Sequence, residues 1–337
     1  MRTVLLSTSS LWNCGDDWIR EGLLRCLNLK PDVRTLWWNR GWGIRSMFAN
    51  SLKVNLELSD YIIMAGTPEW IDRNEAIYRH CMSAQKPIAL LGVGRTGGFL
   101  NDEHSTLMAA VARAGIVDIA ITRDNIAPRY LDAWGIDSVT MCDPALFCKP
   151  LGGDRDLNII GYRGMGLGPN DGNRHHVLRD GGPSKQLDDA MVAAFEAMDG
   201  PKVVTVHDNR EIRAAEELFG PEYVYCSSDY RDMYQLYSRC RYYIGTRIHG
   251  FVPSVVHGAA AQLIYPTDKA ETMDVAIERL GLEGHATVQI MGRDEIAPNL
   301  DMEPMGDSVT ERLDAERELF RERCMAVDWL KDLMWSA

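Results

Sequence analysis

The sequence predicts an α/β protein made of two parallel-sheet domains that face a cleft. Three observations carry that expectation. Short β-branched and apolar runs alternate with helical stretches along almost the whole chain, the alternation breaks once near the middle, and 337 residues are enough for two cores. Each half then reads as a Rossmann-like domain, with ligands expected where strands end at the cleft.

In the first half the strand candidates are Thr3 to Thr8, Val33 to Trp38, Tyr61 to Ala65, Ile88 to Val93, Ile119 to Thr122 and Val139 to Met141. Helices at Asp17 to Leu27, Ser105 to Ala114 and Asn125 to Trp134 fall between several of them. Lys149-Pro150-Leu151-Gly152-Gly153-Asp154 then has the Pro and Gly content of a linker, so a first domain spans 1–150 and a second 151–295. The second half offers strands at Leu157 to Tyr162, Val203 to His207, Tyr223 to Cys226, Tyr242 to Gly245 and Gln262 to Tyr265. Its helices are expected near Asp188 to Met198, Glu211 to Phe219, Asp229 to Ser238, Phe251 to Gly258 and Glu271 to Leu280. Between Gly161 and Gly182 the chain is too glycine-rich for an element, and it reads equally as a lid or a surface insertion. In the remainder, 296–337, the capping-box pattern Ser308-Val309-Thr310-Glu311 opens a long helix. Leu313, Phe320, Val327, Leu330 and Met334 follow at helical spacing, so this helix is expected to close the molecule by packing on the first domain.

Lys plus Arg is 36 and Asp plus Glu 48, giving a net charge of −12 with no basic block, which argues against a nucleic-acid partner. An anionic ligand must therefore be captured by a local cationic cluster. No apolar run is long enough for a membrane span and no signal peptide is evident, so a cytoplasmic location is expected. The eight cysteines are scattered without C-x-x-C spacing, and neither a zinc site nor a disulfide framework is suggested. His175-His176 lacks converging carboxylates, so no metal is expected.

The sharpest feature is Tyr243-Ile244-Gly245-Thr246-Arg247-Ile248-His249-Gly250. A strand ends at Gly245, and the turn after it places Arg247 and His249 just before a helix begins. A guanidinium, an imidazole and the positive end of a helix dipole then meet in one place, which suits a phosphate or carboxylate. An isolated Arg-x-His would usually be a surface Arg and a core His; the strand-turn-helix context is what singles this one out. Gly250 is expected to let a ligand approach the backbone. Arg163, between glycines after the first strand of the second half, reads as a ligand clamp, and Val206-His207-Asp208 closes the next strand as either a site or a capping pair.

In the first half, Asn13-Cys14-Gly15-Asp16-Asp17 joins the first strand to the first helix. One aspartate is explained by helix capping, and the other is left for sugar hydroxyls or proton transfer. Gly92-Val93-Gly94-Arg95-Thr96-Gly97 is formally G-x-G-x-x-G, but the helix starts too late for a dinucleotide fingerprint. Arg123-Asp124 and Asp143-Pro144 are further polar strand ends, with capping and turn roles open to both aspartates. Trp12, Trp37, Trp38, Trp42 and Trp70 would suit stacking on sugar rings, although packing is the commoner fate of Trp.

Taken in order, Asn13-Cys14-Gly15-Asp16, Thr122-Arg123-Asp124, Asp143-Pro144-Ala145 and Thr246-Arg247-Ile248-His249-Gly250, with Tyr265 and Lys269 downstream, resemble the polysaccharide pyruvyl transferase family. The resemblance implies a GT-B-like architecture and transfer of a pyruvyl group from phosphoenolpyruvate to sugar hydroxyls as a ketal. It implies donor binding by Arg247 and His249, with Arg163 as a third contact; beside it, Lys269 is a further candidate for the donor, His249 and Asp16 are the candidates for catalysis, and Asn13, Asp16, Arg123 and His207 are those for the acceptor. Phosphoenolpyruvate would be a co-substrate, so no cofactor is expected; the partners would be that donor and a carbohydrate or lipid-linked sugar, and a homo-oligomer stays open. Two stretches depart from the family pattern: Ala65-Gly66-Thr67-Pro68-Glu69-Trp70 and the loop from Gly161 to Gly182. A GT-B glycosyltransferase holding a nucleotide sugar, with Glu271 or Asp274 at the ribose, and a noncatalytic carbohydrate- or anion-binding relative are the alternatives.

Overall fold

A computed structural model describes residues 2–8, 14–39, 52–66, 74–94, 102–163, 182–207, 209–265, 270–290 and 293–335. The chain divides into two compact units, one formed by Met1–Cys148 with Asp314–Ala337 and the other by Lys149–Leu313.

The first unit is built on a six-stranded parallel sheet. In chain order its strands are β1 (Arg2–Thr8), β2 (Val33–Asn39), β3 (Tyr61–Gly66), β4 (Ile88–Val93), β5 (Val117–Thr122) and β6 (Val139–Thr140). They lie side by side in the order β2-β1-β3-β4-β5-β6. The helices between them are α1 (Cys14–Leu27), α2 (Leu52–Leu58), α3 (Glu75–Ala84), α4 (Asp102–Ala114) and α5 (Ala127–Ala133). β4 is buried along its whole length, as expected of a strand covered by helices on both faces. Its Leu90 and Val93 join Leu5, Ile62, Met64, Tyr78 and Met108 in one core cluster.

The second unit repeats the plan with β7 (Leu157–Gly161), β8 (Lys202–Thr205), β9 (Val224–Tyr225), β10 (Cys240–Gly245), β11 (Ala260–Tyr265) and β12 (Ala286–Ile290). These strands are parallel in the order β12-β11-β10-β7-β8-β9. The intervening helices are α6 (Gly182–Ala197), α7 (Ile212–Phe219), α8 (Tyr230–Tyr237), α9 (Ile248–Val256) and α10 (Glu271–Leu280). Tyr162, Phe195, Phe219 and Tyr223 pack ring edge to ring face beside this sheet.

The predicted strands are present, and the differences lie in the helices and the ends. α2, α3 and β12 were not anticipated. α1 begins at Cys14, so Asp16 and Asp17 sit inside its first turn instead of capping it. The expected long C-terminal helix is two helices, α11 (Ser308–Met325) and α12 (Asp328–Leu333), parted at Val327. Ser308 opens α11, but its hydroxyl donates to the Met305 carbonyl at 2.8 Å instead of closing a capping box. Asp124 does not occupy the N-cap of α5, which is Ile126, but from just ahead of it accepts from the amides of Ile126 and Ala127 at 3.0 and 2.7 Å. Among the described residues no helix is long and apolar enough to cross a membrane.

Candidate functional site

In an open parallel sheet the ligand crevice lies at the carboxyl ends of the strands, where chain direction along the sheet reverses. In the second unit that point falls between β7 and β10, because β7, β8 and β9 run to one side and β10, β11 and β12 to the other. Arg163 follows β7 and Arg247 follows β10, so the topology itself brings the two arginines to one edge.

The strand ends are tied together by backbone chemistry. The Thr246 amide donates to the Gly161 carbonyl at 2.7 Å, and the Arg163 amide donates to the Thr246 hydroxyl at 3.0 Å. Tyr243 is fully buried, and its hydroxyl donates to the Arg247 carbonyl at 2.8 Å. The same ring fills the space that a Cβ would occupy at Gly161, Gly245 and Gly250. Close approach does require glycine at 250, but the group approaching is Tyr243 of the same chain, not a ligand. Arg247 is the N-cap residue of α9, with extended backbone at φ −119° and ψ 114°. His249 is half-buried in the first turn of that helix, whose leading amides have no acceptor within the helix.

The side chain of Arg247 forms an ion pair with Glu211, 36 residues earlier, at the end of the short 3₁₀ turn Asn209–Glu211 that follows β8. Both partners are largely enclosed, with side-chain exposures of 18% for Arg247 and 6% for Glu211. Glu211 was read from the sequence only as the start of a helix; its place four residues beyond His207, past the end of β8, was the available signal.

His207, expected on the acceptor side, is instead grouped with Arg247. Its Nε2 lies 2.9 Å from the Tyr237 hydroxyl, which lies 2.9 Å from the Thr205 hydroxyl. Burial, and then the positive charge of Arg247, push the imidazole well below its usual value of 6.5. His207 is therefore neutral near pH 7 and adds no cation to the site.

In the first unit the reversal lies between β1 and β3. Asp16 is there, wholly buried in α1, and a Cβ built on Gly66 at the end of β3 would stand 3.7 Å from its Oδ1. Arg123, expected to bind the acceptor, is 4% exposed in its side chain and its Nη1 lies 2.5 Å from Asp143 Oδ2. Asp143 Oδ1 accepts from the Ala145 amide at 2.9 Å, so Arg123 braces the turn Pro144–Phe147 and is enclosed by it. Arg123 is thus enclosed and held by Asp143 at the end of β5. Trp37 carries the Arg20 guanidinium over its ring at 3.9 Å. Asn13, Lys269, Asp208, Arg95 to Gly97, Thr67 to Trp70, His175-His176, Trp12, Trp42 and the loop residues 164–181 lie outside the described residues.

The polysaccharide pyruvyl transferase family model matches residues 13–261, well over half of the chain. The chain belongs to the polysaccharide pyruvyl transferase family. It is accordingly a transferase, and the match takes in Asp16, Arg163, His207, Glu211, Arg247 and His249 while ending before Lys269. No curated protein matches the sequence. Among solved structures, MnaA of S. aureus in complex with UDP is similar at a TM-score of 0.53 and 11% identity over 96% of this chain and 90% of that one. A putative UDP-N-acetylglucosamine 2-epimerase from Listeria monocytogenes is similar at 0.50 and 12%, with the same coverage. The calicheamicin glycosyltransferase CalG4 gives 0.38 and 12% over 99% of this chain and 98% of that one. At such identities the likeness of the first two shows the fold alone, two parallel six-stranded sheets with helices.

Proposed function

We propose that this pyruvyl transferase family member takes phosphoenolpyruvate as donor and builds a pyruvate ketal on two hydroxyls of a sugar or glycan, releasing phosphate. The observation that carries the reading is the meeting of Arg163, Arg247 and the first turn of α9 at the reversal point of the second sheet. Phosphoenolpyruvate presents a carboxylate and a phosphate, and two guanidiniums with a helix N-terminus match that pair of charges. Lys269 would add a further cation.

In the reaction, C3 of the enol gains a proton, which makes C2 electrophilic. One sugar hydroxyl adds to C2 and loses its proton, the bond from C2 to the phosphate oxygen breaks with its electrons going to phosphate, and the second hydroxyl closes the ketal. The two hydroxyl protons account for the one gained at C3 and the one carried away on phosphate. His249 supports this role as a donor to the phosphate or as the acid, and Asp16 in the first unit is the residue we assign to acceptor or proton handling. The donor thus belongs to residues 151–295 and the acceptor side to 1–150, with no cofactor. All eight cysteines are free thiols, mostly buried, which fits the reducing cytoplasm.

The nucleotide-sugar alternative needs an acidic residue for the ribose. Glu271 and Asp274 lie beside Arg293, at 3.4 and 4.0 Å. The test is to incubate the protein with phosphoenolpyruvate or a nucleotide sugar and a panel of glycans, following phosphate release and product mass. Phosphate release with a pyruvyl increment on a glycan is expected. A product that gains a hexose while phosphoenolpyruvate stays inert overturns the assignment.

A further inference from the structure

We propose that Glu211 is a built-in counter-anion of Arg247, a positioning residue that holds the guanidinium in the absence of donor and yields it when a phosphate or carboxylate arrives; this rests on the assignment of Arg247 to the donor. Three observations lead there. The Glu211 carboxylate is enclosed and paired with the Arg247 guanidinium. The pair joins two strand ends, because Glu211 follows β8 whereas Arg247 follows β10, with β7 between them. At its backbone Arg247 is fixed separately, through the hydrogen bond from Tyr243 to its carbonyl, so Glu211 is not needed to set the turn.

A buried guanidinium without a partner is strongly disfavoured, and a buried carboxylate equally so. An enzyme whose donor comes and goes must therefore supply a stand-in charge for the empty state, or leave the cation unpaired. Glu211 is that stand-in. Among the described residues, His207 beside the pair is kept neutral, so it neither replaces Arg247 nor offsets Glu211, and Tyr162, which feels the Glu211 charge, is held by its own hydrogen bond to Asp188 at 3.1 Å. An arriving anion competes with Glu211, which weakens ground-state binding but delivers Arg247 already aimed. Affinity and turnover are thus set against each other by one carboxylate.

Titration with inorganic phosphate tests this without requiring turnover. Glu211→Gln is expected to bind phosphate about tenfold more tightly than the natural protein, because the guanidinium no longer shares its charge. Glu211→Asp, which keeps the charge one methylene shorter, should fall between the two, and Arg247→Ala should not bind. With phosphoenolpyruvate, Glu211→Gln should lower KM and kcat together, whereas a residue of purely structural importance would raise KM or depress the thermal midpoint of both variants without tightening either. Unchanged or weaker phosphate binding in Glu211→Gln or, if that variant fails to fold, in Glu211→Asp overturns the inference. Tighter phosphate binding in a protein that never turns over phosphoenolpyruvate would remove the donor assignment and leave Glu211 as described; turnover with unchanged phosphate affinity would do the reverse.

Discussion

Tyr243 shows how much one side chain fixes at the residue scale. Its ring takes the space beside Gly161, Gly245 and Gly250, and its hydroxyl holds the carbonyl of the residue that caps α9. Two substitutions separate these roles. Tyr243→Phe removes only the hydrogen bond, and about 1 kcal/mol of stability should be lost in denaturant titration. A severalfold rise in the KM for donor should accompany it, as the turn bearing Arg247 loosens. Gly250→Ala drives a methyl group into the ring, and overpacking of this kind costs about 1–3 kcal/mol. A Gly250→Ala protein as stable as the natural one would refute the packing role of that glycine. The motif was legible in sequence because a buried strand, a turn and a helix follow one another within a few residues. Which neighbour fills the glycine's open side was not, since a glycine records that something comes close without recording what. Glu211 could be placed past a strand end, but its pairing with Arg247 was illegible for a related reason: the partner stands on another strand end, and pairing across a sheet depends on strand order, which no local pattern contains.

At the scale of elements, strands were easier to read than helices. β4, β7 and β11 are buried along their full length, so they appear as short, mainly apolar runs, interrupted by Asn158 in β7 and Gln262 in β11. By contrast α2 has seven residues, two of them buried, and β12 is an edge strand with three half-buried positions, so neither leaves a clear period. α9 carries a further consequence at its far end. His257 closes this helix, with Nδ1 donating to the Pro253 carbonyl at 2.7 Å, and burial lowers its imidazole from 6.5 to about 4. Because the folded value lies below the unfolded one, the unfolded chain binds the extra proton between those two pH values. The stabilisation is complete above about pH 6.5 and is lost as pH falls toward 4, amounting to about 3 kcal/mol from this group. His207 is shifted in the same direction and adds to the slope. Chemical denaturation at pH 7 and pH 5 should therefore show falling stability in the natural protein and a shallower fall in His257→Gln, whose amide can still donate to Pro253. An equal slope in the two proteins would rule His257 out as a source of acid sensitivity.

Across the whole molecule, the C-terminal segment belongs to the unit that the N-terminus begins. Phe320 of α11 is fully buried and meets Phe147 edge to face at 5.3 Å, while Trp329 of α12 stacks on Tyr61 of β3 at 4.7 Å and donates to Asp118 at 2.7 Å. Met334 forms an antiparallel bridge with Leu29, and the Trp335 amide donates to the Asn28 carbonyl at 3.0 Å. The unit made of residues 1–148 and 314–337 is thus closed by residues far away in sequence, and its core is incomplete without them. The Phe320→Ala cavity should cost about 3–5 kcal/mol, all of it in that unit. Inorganic phosphate, bound at Arg247 in the other unit, should raise the stability of 149–313 instead. Calorimetry of Phe320→Ala with and without phosphate then has a definite expected form: an early transition lowered by the substitution and indifferent to phosphate, and a later one raised by phosphate and indifferent to the substitution. If phosphate protects both transitions equally in the variant, anion binding is not confined to the second unit, and the division of labour between donor and acceptor residues would have to be redrawn.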